Sequence, residues 1–353
     1  YQKEIKIGDL DQGAPELRQE SRYNMDNAFI IDNYSTSADI LVVMVKTPQE
    51  QCSSYDVLDA MDRLQWTLQN TQGVQSTVSL TNVTKMVSKA LNEGNLKWYE
   101  LPRNQTIINS AIQRAPSGLI NTDCSLTPLL VFLEDHKAET LIRAVKVVEA
   151  FASTHDTERY QFLLAAGNAG VEAATNQVIE RAKNQMLILV YAVVGILCFV
   201  TFRSVRALLC IMVPLMLTSI LCEALMAVLG IGIKVATLPV IALGVGIGVD
   251  YGIYIYTKFE SYLLAGKTLQ EAYFETLRST GKAVAFTGVT LAIGVCTWVF
   301  SPIKFQADMG ILLTFMFLWN MIGALWLLPA LARFLLRPDQ MLARARKAAQ
   351  AAA

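Results

Sequence analysis

The sequence predicts a membrane α-helical bundle of five spans behind an N-terminal α+β domain. Three observations carry that reading. The 353 residues are 53% hydrophobic and only 17% charged, a balance suited to a chain largely in lipid. The average hides a division, because residues 1 to about 180 hold most of the acids and show short alternating patterns, whereas apolar stretches dominate beyond Asn184. Five of those stretches, about 185–202, 207–229, 235–257, 283–300 and 309–334, each reach the roughly 17 to 25 residues that a spanning helix requires. The expected organisation is therefore 1–183, an α+β domain; 184–336, the bundle; and 337–353, a basic tail.

In the first domain, residues 39–46 (DILVVMVK) read as a buried strand. A helix follows over 55–70, with Val57, Leu58, Met61, Leu64 and Leu68 on one face, and 73–80 alternates as a second strand. The pattern recurs as a strand over 126–133, a helix over 139–153 carrying Leu141, Ile142, Val145, Val148 and Phe151, and a strand over 160–165. Two βαβ units of this kind suggest a split βαβ, ferredoxin-like sandwich. Between them, about 81–122 reads as an insertion of helical pieces and loops; its Trp98 and Tyr99 fit a satellite core better than a substrate path. Cys52 and Cys124, the two cysteines of this domain, would bridge in an oxidising compartment or stay as buried thiols. Asn33-Tyr34-Ser35, Asn82-Val83-Thr84 and Asn104-Gln105-Thr106 have glycosylation spacing, which arises often by chance.

Orientation follows from the connections. With the first domain outside, Arg203, Arg206, Lys258, Lys267, Arg278 and Lys282 lie on the inner side with the basic tail, while only Lys234 and Lys304 fall in outer hairpins. The inner stretch 263–282 reads as an amphipathic helix packed on the bundle. The chain opens on Tyr1 with no initiator Met and no apolar signal segment. A domain of this size would need something upstream to carry it outward, so a piece of a longer protein is expected.

The third stretch carries Gly244-Val-Gly246-Ile-Gly248-Val-Asp250-Tyr251-Gly252. An acid at membrane depth costs about 2.5 to 3.5 kcal/mol on insertion scales, so it must be neutralised, paired or turned to protein or water. On a helix Gly246, Asp250 and Tyr254 share one face, and Gly244, Gly248 and Gly252 line another, two small-residue stripes for close helix approach. Thr287, Thr290, Gly294 and Thr297 form a hydroxyl stripe that either faces Asp250 or bonds its own helix carbonyls. Glu223, a second intramembrane acid, would pair with Lys234, line a substrate entrance or snorkel; Asn320 suits helix packing. His136 and His155 are the only histidines and share no local spacing with a ligand set. Without a nucleophile–base pair or a GxxxxGK[ST] loop, neither enzymatic chemistry nor ATP is expected, and an ion gradient is the remaining source of power. Zero net charge with dispersed basic residues gives no reason to expect nucleic acid.

A split βαβ domain continuing through a helix at 171–183 into five spans, with a Gly-rich Asp-Tyr in the third, resembles one half of a resistance–nodulation–cell division exporter. The Gly-Val-Asp250-Tyr251 wording is most similar to the branch of the mycobacterial membrane proteins large, hydrophobe and hopanoid exporters of the bacterial inner membrane. That resemblance implies a periplasmic porter domain and a proton relay in which Asp250 and Tyr251 form one of two pairs; the helical spacing adds Tyr254, Thr287 and Thr290 as candidate members of the relay. It implies export of a hydrophobic or amphiphilic molecule driven by the proton gradient, with no cofactor. The expected partners are membrane lipids, the substrate and a second repeat of the same protein; a homo-oligomer and periplasmic or outer-membrane partners stay open. So do a non-exporting relative, acting as a translocation helper or lipid-sensing scaffold, and a half-size subunit that dimerises.

Overall fold

A computed structural model describes residues 6–11, 13–34 and 36–336. The expected basic tail at 337–353 and Ser35 of the first glycosylation motif lie outside the described residues. The described residues form two compact units, one within 8–178 and one of 6–7 with 179–336.

The first unit runs α1 (Arg22–Asn33), β1 (Ile40–Lys46), α2 (Tyr55–Gln69), β2 (Val74–Val78), α3 (Leu80–Leu91), α4 (Gln105–Ile112), β3 (Leu126–Leu133), α5 (Ala138–His155) and β4 (Gln161–Ala166), then the start of α6 (Asn168–Phe202). Its four strands form one antiparallel sheet in the order β2-β3-β1-β4, as two interleaved βαβ units require. Alternation explains the core: Leu41, Val43 and Val45 of β1 and Leu129, Val131 and Leu133 of β3 point the same way, onto Met61, Leu64 and Leu68 of α2 and Leu141 and Val148 of α5. Gly167, at φ +85°, makes the turn from β4 into α6, and a Cβ there would collide with the carbonyl oxygen of Ile40.

The insertion folds as α3, a 3₁₀ turn (Leu96–Trp98) and α4. It does build a satellite core, from Leu80 and Ile108 against Leu58 of α2. Trp98 and Tyr99 stay outside that core, each 43% exposed, because the 3₁₀ turn buries neither. Asn82 and Asn104, the other two motif asparagines, serve as caps: Asn82 accepts from the Ser79 N–H and Asn104 from the Thr106 N–H. Cys52 and Cys124 are bridged, with Cα atoms 5.1 Å apart.

The second unit holds five helices long and apolar enough to cross a membrane, and none of its other described elements is. They are α6; α7 (Val205–Leu229); α8 (Leu238–Leu264); a helix from 269 to 300 comprising α9 (Leu269–Thr276), a π turn and α10 (Lys282–Cys296) with its 3₁₀ end; and α11 (Lys304–Ile322), continuing through a π turn (Gly323–Leu327) into α12 (Leu328–Leu335). α6 ends at Arg203, in the left-handed region, and Ser204 caps α7; Gly230 ends α7 in the same left-handed way. α8 is central, packed by α7, α9 and α11, while α10 leans on α11. Helix α9 opens with a Thr268–Glu271 capping box and buries Ala272 against the bundle. Most of α6 beyond Met186 exposes its apolar side chains, among them Ile188, Val193 and Ile196, as a lipid-facing helix does.

Candidate functional site

α8 carries the candidate site, and its two glycine stripes meet different surroundings. Gly244, Gly248 and Gly252 are buried against α11 and α7: a Cβ on Gly248 would lie 2.5 Å from the amide of Asn320 and 2.7 Å from Leu215, and one on Gly252 3.0 Å from Ile211. Asn320 seals the approach by donating from Nδ2 to the Gly244 carbonyl at 2.8 Å, which fits the packing role expected of it. By contrast, nothing lies within 4 Å of a Cβ placed on Gly246. Leu243, Gly246, Asp250, Tyr254 and Thr257 form a continuous exposed stripe at helical spacing.

Asp250 therefore sits about 18 Å along a 27-residue helix, near its middle. Among the described residues it makes no hydrogen bond or ion pair, and its carboxylate is presented outward from the bundle. Tyr251, one residue on, turns the other way: it is 3% exposed in the core, and its hydroxyl is buried without a hydrogen-bonding partner among the described residues. The pair is thus split between two faces of α8, with Tyr254 one turn from Asp250 on the outer one.

Thr287 and Thr290 are exposed on α10, whose Gly288 and Ala292 are buried, Gly288 against Met321. Thr297 bonds its own helix, donating to the Gly294 carbonyl at 2.7 Å. Thr287 and Thr290 make no such bond among the described residues, and neither meets Asp250.

Glu223 of α7 is 3% exposed, which excludes snorkelling, and Lys183 of α6 reaches it at 3.2 Å. Two turns further along α6, the Tyr191 hydroxyl bonds Ser219 of α7 at 2.6 Å. Lys183 was missed as a partner by sequence reasoning, although a cation just ahead of one apolar run, with a single acid inside the next, is the signal that would have found it. A second feature lay beyond sequence: Pro214 in α7 stands opposite Gly323, where the π turn begins. Beside these two helix irregularities lies an apolar cleft of about 300 Å³, lined by Leu217, Leu221, Trp319 and Trp326.

The sequence profile of the MMPL family matches residues 15–352. The membrane protein MJ1562 of Methanocaldococcus jannaschii is 23% identical over 280 residues, 78% of this chain and 70% of that protein. The sulfolipid-1 exporter MmpL8 of Mycobacterium tuberculosis is 22% identical over 169 residues, 47% of this chain and 16% of the exporter. The membrane protein YdfJ of Bacillus subtilis is 28% identical over 88 residues, 25% of this chain and 12% of YdfJ. The match thus spans a small part of the last two relatives.

Proposed function

Because this chain belongs to the MMPL family, we propose that it is one repeat of a proton-driven exporter of lipid-like molecules in a bacterial inner membrane. The α+β unit is its ferredoxin-like porter domain on the periplasmic side. One observation carries the proposal: Asp250 lies mid-helix at membrane depth on a stripe that its own bundle leaves uncovered. An acid cannot face hydrocarbon there without large cost, so a second set of helices or a watery cleft must cover it. The bare Gly246 gives that second set room to approach closely.

The chemistry follows from the placement. With its proton, Asp250 is neutral and tolerates an apolar neighbour; without it, the carboxylate demands donors or water. Alternation between the two states makes the packing of the outer stripe depend on protonation, and Tyr254 supplies a hydroxyl one turn away. Tyr251, whose hydroxyl is unsatisfied, supplies a second donor when α8 turns, and the hydroxyls of Thr287 and Thr290 take part from the neighbouring span. Moving one charge through 100 mV is worth about 2.3 kcal/mol, enough to bias such a rearrangement. One repeat then rocks against the other, and the continuous α6 transmits the motion to the porter domain.

The cargo class rests on two supports. The MmpL8 relative is named for exporting a sulfolipid, and the cleft beside Pro214 is lined by apolar side chains with Trp319 and Trp326. The reading is tested by transport of a fluorescent lipid and proton uptake in vesicles. Asp250→Asn, which keeps shape but removes titration, is expected to abolish both with membrane insertion intact. Unchanged transport would remove the proposal.

A further inference from the structure

The α+β unit buries a cluster of ionisable side chains for which the export cycle has no use. His136, in the turn between β3 and α5, is 2% exposed, and its Nδ1 lies 3.1 Å from both carboxylate oxygens of Asp39, the residue just ahead of β1. Its Nε2 is buried with no partner among the described residues. The peptides on either side of Asp39 are gripped by the first residue of α6: Asn168 Oδ1 accepts from the Ile40 N–H at 2.9 Å, and its Nδ2 donates to the Ala38 carbonyl at 2.7 Å. One turn along α6, Glu172 Oε1 is buried and unpartnered, and one turn further Asn176, 8% exposed, has an unpartnered Nδ2. Residues 168, 172 and 176 share a helix face; the Glu172 charge acts on His136, beside the point where α6 is tied to β1, while Asn176 lies further along against Gly8.

Orphaned buried polar groups are rare because each forfeits its hydration, and a cluster of them calls for an explanation. The charges around this one are Asp39, with Asp9 and Glu16 from the segment ahead of α1; Asp135 next door is occupied by Lys137 at 3.2 Å. Burial alone would lower the His136 pKa, but the hydrogen-bonded Asp39 and the charges of Glu172 and Asp9 outweigh it and raise it to about 9. Burial raises that of Glu172 as well, against the opposing His136 charge and helped by Asp9, Asp39 and Glu16, to about 7. Glu172 lies about three turns ahead of the apolar stretch that begins near residue 185, outside the span.

We propose that Asp39, His136 and Glu172 form a second proton-binding site, at the root of α6, whose occupancy sets how firmly that helix is held to the start of β1. Linkage gives the sign. Both titrating groups bind a proton more tightly in the closed arrangement than when exposed, so each loses affinity on opening. Acid therefore latches the joint, and rising pH loosens it, through Glu172 between about 4.5 and 7 and through His136 between about 6.5 and 9. The porter domain thereby answers to pH on its own side of the membrane, independently of Asp250.

Hydrogen exchange of the full chain in lipid nanodiscs, corrected for the intrinsic rate, tests this over residues 36–42 and 166–178. Opening should rise at least tenfold from pH 5 to 9. Glu172→Gln should remove the lower part of the rise and His136→Gln the upper part, while Asp250→Asn leaves the whole profile in place. A flat wild-type profile, or a full rise surviving in Glu172→Gln, overturns the proposal. Should the variants fail to fold, histidine-selective ¹⁵N labelling of the wild type still decides, since the chain has two histidines and the mild His155→Asn assigns them. A His136 ring charged at pH 7.5 supports the site; a neutral ring at that pH overturns it.

Discussion

Gly246 and Gly248 lie two residues apart on α8 and meet opposite surroundings. A methyl on Gly248 must displace Asn320, itself fixed to Gly244, or Leu215, so Gly248→Ala should cost the bundle about 1–3 kcal/mol as overpacking does. Gly246→Ala, in open space, should leave the stability of this repeat unchanged. Unfolding midpoints in detergent compare the two directly, and equal losses would contradict the packing described. Glu223 and Lys183 yield a second contrast. Lys183→Ala removes one charged partner from a buried carboxylate and should destabilise the bundle, while replacing Lys183 and Glu223 together with apolar residues should recover part of the loss. In the α+β unit, His136 contributes stability that is complete below pH 6.5 and is lost as pH rises through about 9. Thermal melts of wild type and His136→Gln should accordingly converge above pH 9. Asp250 was legible in the sequence because an acid inside an apolar run is a local signal. The Asp39–His136 pair was not, since its members are 97 residues apart and only the sheet brings them together.

At the scale of elements, the four strands and the helices α2 and α5 follow the sequence closely, whereas α1, with a weakly apolar sequence, was not read from it. Period-two alternation in β1 and β3 and period-four spacing in α2 and α5 each specify one buried face, and the antiparallel order then follows from pairing those faces. The five spans were legible from length and hydropathy, but their irregularities were not. The π turn at Gly323–Leu327 begins against Pro214 of α7, a tertiary contact. Likewise, two glycine stripes of identical spacing gave no sign of which one the bundle fills. The Cys52–Cys124 bridge closes a stretch of 72 residues around the insertion. On a chain-entropy basis its removal should cost about 4 kcal/mol. Reduction should thus lower the melting temperature of the α+β unit and leave the bundle's transition in place; an unmoved first transition would argue against the estimate.

For the molecule as a whole, the account joins an MMPL chain to a proton cycle centred on one carboxylate. The bundle packs closely along one side of α8, with Gly244, Gly248 and Gly252 in contact, and leaves Leu243, Gly246, Asp250, Tyr254 and Thr257 uncovered. A structural helix has no reason to spend an acid on such a face, which is why a role in transport explains it better than packing. The most direct measurement is proton uptake coupled to lipid export in sealed vesicles, wild type against Asp250→Asn. The account predicts that both stop together in the variant while the protein remains folded and inserted. Export that continues at the wild-type rate, with or without proton uptake, would contradict it.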